Sequence, residues 1–264
     1  LTLTTGTPLT IAFFDSGTWG PDTSQGFDAA YLNPIIFYRA IEQQNGSPDN
    51  VLLGADVKWN ALKKIQLYGQ LVLDEFVLSN LRERNGWWAN KIAGQAGLKY
   101  IDAFGVSNLD LQGEVNIVRP YTYSHGSKYG SYSSYRQPLA HPLGANFKEA
   151  VGILRYQPLP RLNITGKLII TQIGRDTTGV NWGSNILKDN TTKQQSYNNK
   201  ISQGVKNDLM YGSFTVSWMV KHNLFIDAQY ILRDSRSPVE TYNNKSAITS
   251  VALRFNIAQR HYEF

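Results

Sequence analysis

Three runs near the C-terminus alternate apolar and polar residues over spans longer than soluble strands need. In the first, Met210, Gly212, Phe214, Val216, Trp218 and Val220 are separated by Ser213, Thr215, Ser217 and Lys221. In the second, Leu224, Ile226, Ala228, Tyr230 and Leu232 alternate with Asp227, Gln229 and Arg233. In the third, Val251, Leu253, Phe255 and Ile257 alternate with Ser250, Arg254 and Asn256. Period two is the signature of a strand with two unlike faces. Strands of soluble proteins average about 5–6 residues, whereas a strand of about ten residues with one lipid-type face is what a transmembrane barrel requires.

The same pattern recurs upstream. It predicts strands at Tyr31–Arg39, Asn50–Asn60, Ile65–Phe76, Asn90–Asp102, Ser107–Arg119, Lys148–Gln157 and Leu162–Arg175, with Thr7–Asp15 as a further candidate. The C-terminal three are expected at Asp208–Val220, Leu224–Ser235 and Ser246–Ile257. Connections alternate in length. Ala61–Lys64, Ala103–Val106, Pro158–Arg161 and Lys221–Asn223 are tight; Ala40–Asp49, Val77–Ala89, Pro120–Phe147, Asp176–Asn207 and Arg236–Lys245 are long and polar. Short turns on one rim and long loops on the other match the plan of bacterial outer-membrane barrels. Two features fit less well. An odd strand count results if Thr7–Asp15 is included, and the terminal aromatics Tyr262 and Phe264 have the opposite parity to Val251–Ile257. A bulge or a short tail after Ile257 reconciles the second.

Composition narrows the alternatives. No stretch of this 264-residue chain reaches the roughly 18 apolar residues of a spanning helix. The 22 Gly, 15 Tyr and 6 Trp suit strands bordered by aromatic girdles, although a soluble all-β protein can share them. Without Cys there is neither a disulfide framework nor a thiolate metal site. A dispersed net charge of +6 argues against nucleic acid as a partner. No basic start and apolar core open the sequence, so an exported chain of this kind is expected to be a mature form or a fragment. The expectation is a single all-β domain over 1–264: an antiparallel transmembrane outer-membrane β-barrel with about 10–12 strands in this chain.

The most distinctive segment is Tyr121-Thr-Tyr-Ser-His125 followed by Tyr135-Arg-Gln-Pro-Leu-Ala-His-Pro-Leu-Gly-Ala-Asn-Phe-Lys-Glu149. Together with Tyr31-Leu-Asn-Pro34, Tyr68-Gly-Gln70, Asp74-Glu75-Phe76, Gly97-Leu-Lys-Tyr100 and Val118-Arg-Pro-Tyr121, it resembles the C-terminal half of the Wzi-like capsule-assembly family. The similarity is greatest to the branch that includes outer-membrane proteins associated with gliding motility. That resemblance implies a longer, eighteen-stranded barrel of which this chain is the C-terminal portion. It also implies a non-enzymatic role in surface polysaccharide (capsule) assembly or attachment, linked to gliding. The implied location is the outer membrane of a Gram-negative cell. Implied partners are outer-membrane lipid, surface polysaccharide and other outer-membrane proteins. A general porin, or a barrel subunit of a larger outer-membrane complex, are the alternatives.

Two groups of residues are candidates for function. The long segment Pro120–Phe147 carries Tyr121, Tyr123, His125, Tyr129, Tyr132, Tyr135, Arg136 and His141, aromatic and cationic groups of the kind that contact sugars. The competing reading is a girdle or packed loop plug. By strand parity Asp74, Gln112 and Glu114 face the lumen, with Lys99 and Arg119 placed to meet them, either as a charged constriction or as a salt-bridge network filling the interior. Glu75 has the opposite parity and is expected at the outer rim. Catalysis and cofactors are not expected. His125 and His141 share a loop with Ser124, Ser127, Asn146 and Glu149, but no motif fixes a nucleophile beside a base. Two histidines without a third spaced ligand do not make a metal site. His141-Pro142 reads instead as a turn anchor stiffened by Pro138 and Pro142. Gly94 and Gly97 lie within a strand and fail the context of a phosphate loop. The sequons at Asn163 and Asn190 read as chance matches.

Overall fold

A computed structural model describes residues 2–4, 8–18, 50–75, 77–126 and 129–256 of the chain. The expected strand Tyr31–Arg39, the Tyr31–Pro34 motif, Phe76, Ser127, Ile257, Tyr262 and Phe264 lie outside the described residues.

Alternating sequence produces long strands joined to their sequence neighbours. They are β1 (Thr2–Thr4), β2 (Leu9–Thr18), β3 (Asn50–Leu62), β4 (Ile65–Glu75), β5 (Lys91–Tyr100) and β6 (Leu109–Val118). After a small hairpin, β7 (Ser133–Ser134) and β8 (Gln137–Pro138), come β9 (Phe147–Leu159) and β10 (Leu162–Arg175). The series ends with β11 (Val205–Lys221), β12 (Leu224–Arg236) and β13 (Asn244–Phe255). Eleven strands form one sheet in the order β1-β2-β3-β4-β5-β6-β9-β10-β11-β12-β13. Every pairing is antiparallel. The sheet is open among the described residues, with β1 and β13 at its edges.

The expected boundaries agree with these strands to within a few residues, and Leu162–Arg175 matches at both ends. Tight turns cluster at one end. There Asn108 and Asn223 adopt φ 59° and 63°, a left-handed conformation that asparagine tolerates better than most residues. Asp102 links two of the turns: it accepts the Asn108 amide at 2.8 Å and pairs with Lys64 at 3.3 Å. The Asn108 hydrogen bond, helped by Lys64, holds its carboxyl below the usual aspartate range.

Because side chains alternate, register assigns every strand residue to one of two faces. On one face Phe214 lies opposite Gly166 and Tyr230, Trp218 opposite Leu162 and Ile226, and Met210 opposite Ile170. Leu168, Ile170, Phe214, Trp218, Ile226, Tyr230, Val251 and Leu253 are all exposed there. We call this the outer face. The other, inner face carries Asp56, Gln70, Gln95, Lys99, Gln112, Glu114, Asn116, Glu149 and Thr171 over the middle of the sheet. Towards the long-loop end the inner positions turn apolar. Leu52, Val72, Ala93, Val118, Phe147 and Ile173 form the buried core there with Tyr123, Ala145 and Ile186 from the loops. The core therefore sits at one end of the inner face, where loops fold back over the strands.

Candidate functional site: a polar inner wall under a knitted loop cap

Five strands contribute to one polar network on the inner face. Tyr68 of β4 donates to Glu114 Oε2 of β6 at 2.7 Å and accepts from Gln112 Nε2 at 2.9 Å. Asn116 Nδ2 bridges the Glu114 and Glu149 carboxylates at 2.9 and 3.1 Å. Thr171 of β10 donates to Glu149 at 3.3 Å, and Arg155 donates to Gln112 at 3.3 Å. Lys99 joins through the Tyr68 ring, its Nζ 5.5 Å from the centroid. The predicted lumen residues Lys99, Gln112 and Glu114 are thus brought together with Tyr68, Asn116, Glu149 and Thr171. Partner groups are satisfied within the wall, which offsets the cost of burying them.

Arg119 is a correction. It lies one residue beyond the end of β6 and does not enter this network. Its guanidinium donates to the carbonyls of Asn90 at 2.7 Å and Trp87 at 3.2 Å, pinning the 77–90 loop. Burial lowers its pKa from the ordinary arginine value. Glu75 also differs from its expected rim position. A register shift after Leu73 lets it pair with the fully buried Lys91 at 3.0 Å.

Three charged wall residues hold the 120–146 loop. Asp74 of β4 accepts the Tyr123 amide at 2.8 Å. Lys91 of β5 donates to the Ser124 carbonyl at 2.8 Å. Glu149 of β9 meets His141 Nε2 at 3.1 Å, while His141 Nδ1 accepts the Leu143 amide at 3.2 Å. His141 also lies 4.5 Å from the Phe147 ring. A backbone amide on Asp74 and a backbone carbonyl on Lys91 make the attachment independent of the loop side chains at those points.

The loops are also tied to one another. Tyr121 is 1% exposed and donates through its hydroxyl to the Asn181 carbonyl at 2.9 Å. Burial raises its pKa to about 12. Tyr123 is buried as well, with its pKa raised by desolvation and then by Asp74. Asn146, at φ 62°, donates to the Gly174 and Gln203 carbonyls at 2.9 Å each and accepts the Gln203 amide at 3.2 Å. Gly174 is needed for this approach, because a Cβ there would lie 1.9 Å from the Gln203 oxygen. Asp176 organises the 176–204 loop by accepting from Trp182, Ser184 and Asn185 amides and pairing with Lys188. The 77–90 loop joins through Trp88 N to Ser196 O at 2.9 Å, with Trp87 4.8 Å from the Tyr197 ring. Trp88 is flanked by Lys91 and Lys193 at 5.5 and 4.5 Å.

The eight candidate sugar-contacting residues consequently divide. Tyr121 and Tyr123 are buried in the cap, and Tyr132 packs against the core. His141 serves the wall contact, and His125 is half-buried, its carbonyl accepting the Asn190 amide at 3.2 Å. Tyr129, Tyr135 and Arg136 are exposed. The last two form the β7–β8 turn with φ 47° and 62°, and Tyr135 is 99% exposed. Paired left-handed residues suit such a turn, but the turn favours Asn and Gly rather than Tyr and Arg. A bulky exposed residue held this way stores strain with no packing return. Ser124 Oγ donates to the Tyr121 carbonyl at 2.6 Å rather than to an imidazole. Sequence reasoning missed the roles of Asn146, Trp87 and Trp88, whose partners lie in other loops, and those of Asp176 within its own loop and of Lys91 on β5. No family model, curated protein or solved structure matches this chain.

Proposed function

We propose that the chain forms part of the wall of an outer-membrane β-barrel closed at its long-loop end by the knitted cap, serving attachment or assembly of surface polysaccharide. One observation carries the membrane part: the sheet leaves its apolar face bare, while loops fold over the long-loop end of its polar face. Phe214, Trp218 and Tyr230 are each about half exposed, and aromatic side chains carry about 150–250 Å² each. Those three alone approach the few hundred Å² that bounds the largest patch on a typical soluble monomer. A water-facing sheet would invert this arrangement.

Further support comes from the ends of the outer face. Register puts Trp59, Tyr100, Tyr156, Trp218 and Phe255 on the outer face, each within a few residues of a short turn. That is where an aromatic girdle would lie. From Met210 to Trp218 the apolar band runs roughly 27 Å along the strand at about 3.4 Å per residue, comparable with the band of about 25 Å in known barrels. Among the described residues β13 has a free edge, and β1 covers β2 only at Thr10, Ile11 and Ala12. Bilayer does not tolerate open edges. In this reading, further strands complete the barrel between them, consistent with a portion of a larger one.

The polysaccharide part rests on the resemblance described above and on the exposed Tyr129, Tyr135 and Arg136 at the cap's surface. Replacing these three with Ala should reduce cell-bound capsule while leaving membranes tight to a bulky dye and the barrel inserted. Unchanged capsule would contradict the attachment role. The polar inner wall would also serve a porin, so conductance is the discriminating measurement. A large steady single-channel conductance from the wild type would favour the porin reading, because the cap is expected to block flow.

A further inference from the structure

The outer face is not a uniform apolar surface. Two adjoining depressions run along β6, β9, β10, β11 and β12. One, of about 660 Å³, is floored by Gly113, Gly152, Gly166 and Gly212 and walled by residues including Leu154 and Phe214. The next rows of the same strands, Val115, Ala150, Ile170 and Met210, continue into a second depression of about 570 Å³. A Cβ at Gly113, Gly152 or Gly212 would meet nothing within 4 Å, so packing inside this chain does not require these glycines. Glycine within a strand costs stability and often marks close approach of something else.

The groove ends in charge. At the long-loop rim Lys148 lines the second depression, and Lys206, Arg236 and Lys245 line a third that shares Asp208, Asp234 and Arg236 with it. Register assigns all four cations to the outer face: Lys148 lies opposite Ile117, Lys206 opposite Gly174, Arg236 opposite Asp208, and Lys245 opposite Asp234. The two carboxylates of the rim are engaged. Asp208 accepts from Gln172 at 2.8 Å and Asp234 is held by Arg236 at 2.6 Å. Lys148, Lys206 and Lys245 form no ion pair among the described residues. An apolar trough opening onto surplus positive charge is complementary to a molecule with apolar chains and an anionic head.

We propose that this groove is a lipid site, holding the acyl chains of a phosphate-bearing membrane lipid with its headgroup on Lys148, Lys206 and Lys245. The site rests on the membrane reading above, since only a bilayer delivers such a lipid to that face. Charge on the headgroup would be met by amines outside the hydrocarbon, where basic residues near the surface attract anionic lipid.

The test reconstitutes the full-length protein into vesicles of phosphatidylglycerol mixed with phosphatidylcholine, extracts it gently, and counts retained lipids by native mass spectrometry. Wild type should retain phosphatidylglycerol in preference to phosphatidylcholine. The triple variant Lys148→Gln, Lys206→Gln, Lys245→Gln should lose at least fivefold of that retention. Gly113→Leu with Gly152→Leu, which fills the trough without touching the amines, should lose it too, and Lys63→Gln at the opposite rim should not. Equal retention of both lipids by wild type, or retention unaffected by either variant, overturns the proposal. Displacement of the bound species by millimolar inorganic phosphate alone would overturn it as well, because the rim would then be a simple anion site. Wild type that fails to insert into vesicles sinks the membrane reading and this proposal together; insertion without selective retention sinks this proposal alone.

Discussion

Strands β10–β12 and the 120–146 loop handle their side chains in opposite ways. On β11, Met210, Phe214, Trp218 and Val220 are exposed, whereas the polar Asn207 is buried and Ser213, Thr215 and Ser217 are partly covered. In the loop, Tyr121, Tyr123 and Ala145 are buried with Thr122, Ser124 and Asn146, and the exposed side chains gather at the tip. One chain cannot be optimised for a single solvent and show both patterns. The loop is built as a water-soluble protein is, with aromatics inside and polar groups satisfied. The strands instead leave large apolar side chains bare along one face. That contrast separates the part of the molecule proposed to sit in the bilayer from the part proposed to stand above it.

The largest effect should come from a charge on the outer face. Phe214→Arg should cost about 2–4 kcal/mol of stability in a bilayer, and its neighbour Ser213→Arg, on the polar inner face, much less. Folding titrations in lipid vesicles measure both. Similar losses would break the assignment of faces. An inner-face control at Asn116 would not serve, because that side chain bridges two carboxylates.

A smaller effect is expected where wall and cap meet. Lys91→Met removes the charged donor to Glu75 and to the Ser124 carbonyl, which keeps Asn190 Nδ2 at 3.3 Å, and a hydrogen bond to a charged group contributes about 1.5–3 kcal/mol. The loss should appear as faster proteolysis of the 120–146 loop, with the strands still protected. Simultaneous loss of both would mean that cap and wall unfold as one unit.

The smallest effect concerns alkaline pH. Tyr121 titrates at about 12 instead of its ordinary 10.0 because burial penalises the phenolate. A raised pKa contributes stability that is complete below about pH 10 and is lost as pH rises towards about 12. Absorbance of phenolate should therefore show Tyr121, with Tyr123, ionising after the exposed tyrosines, as the cap loosens. Replacing Tyr121 with Phe should remove one late-titrating group.

How much of this was legible in the sequence follows from the same contrast. Strands such as Leu162–Arg175 could be read because each face keeps one chemistry along the strand and antiparallel neighbours share it. The cap could not be read, because its interactions join distant positions: Tyr121 to Asn181, Asn146 to Gln203, Trp87 to Tyr197. Parity assigned Gln112 and Glu114 to the inner face, yet it gave no hint that His141 would meet Glu149. Arg119 was expected to meet the lumen carboxylates, but its position after β6 has the parity of Val115 and Ile117, and past the strand end its guanidinium turns to the Asn90 and Trp87 carbonyls. One signal was available. Leu71-Val72-Leu73 and Ile117-Val118 break the alternation with adjacent apolar residues, and Val72 and Val118 are where the inner face receives the loops.

Accessibility at paired positions tests the central claim most directly. The chain has no Cys, so single cysteines can be placed at will. Spin labels at Leu168 and Phe214 on the outer face, and at Lys167 and Ser213 on the inner face, would be compared in the reconstituted full-length protein. We predict that the first pair relaxes with dissolved oxygen and is shielded from a water-soluble nickel reagent, and that the second pair shows less oxygen exposure. Equal exposure of Leu168 and Phe214 to the water-soluble reagent, in protein that has inserted, would contradict a lipid-facing sheet.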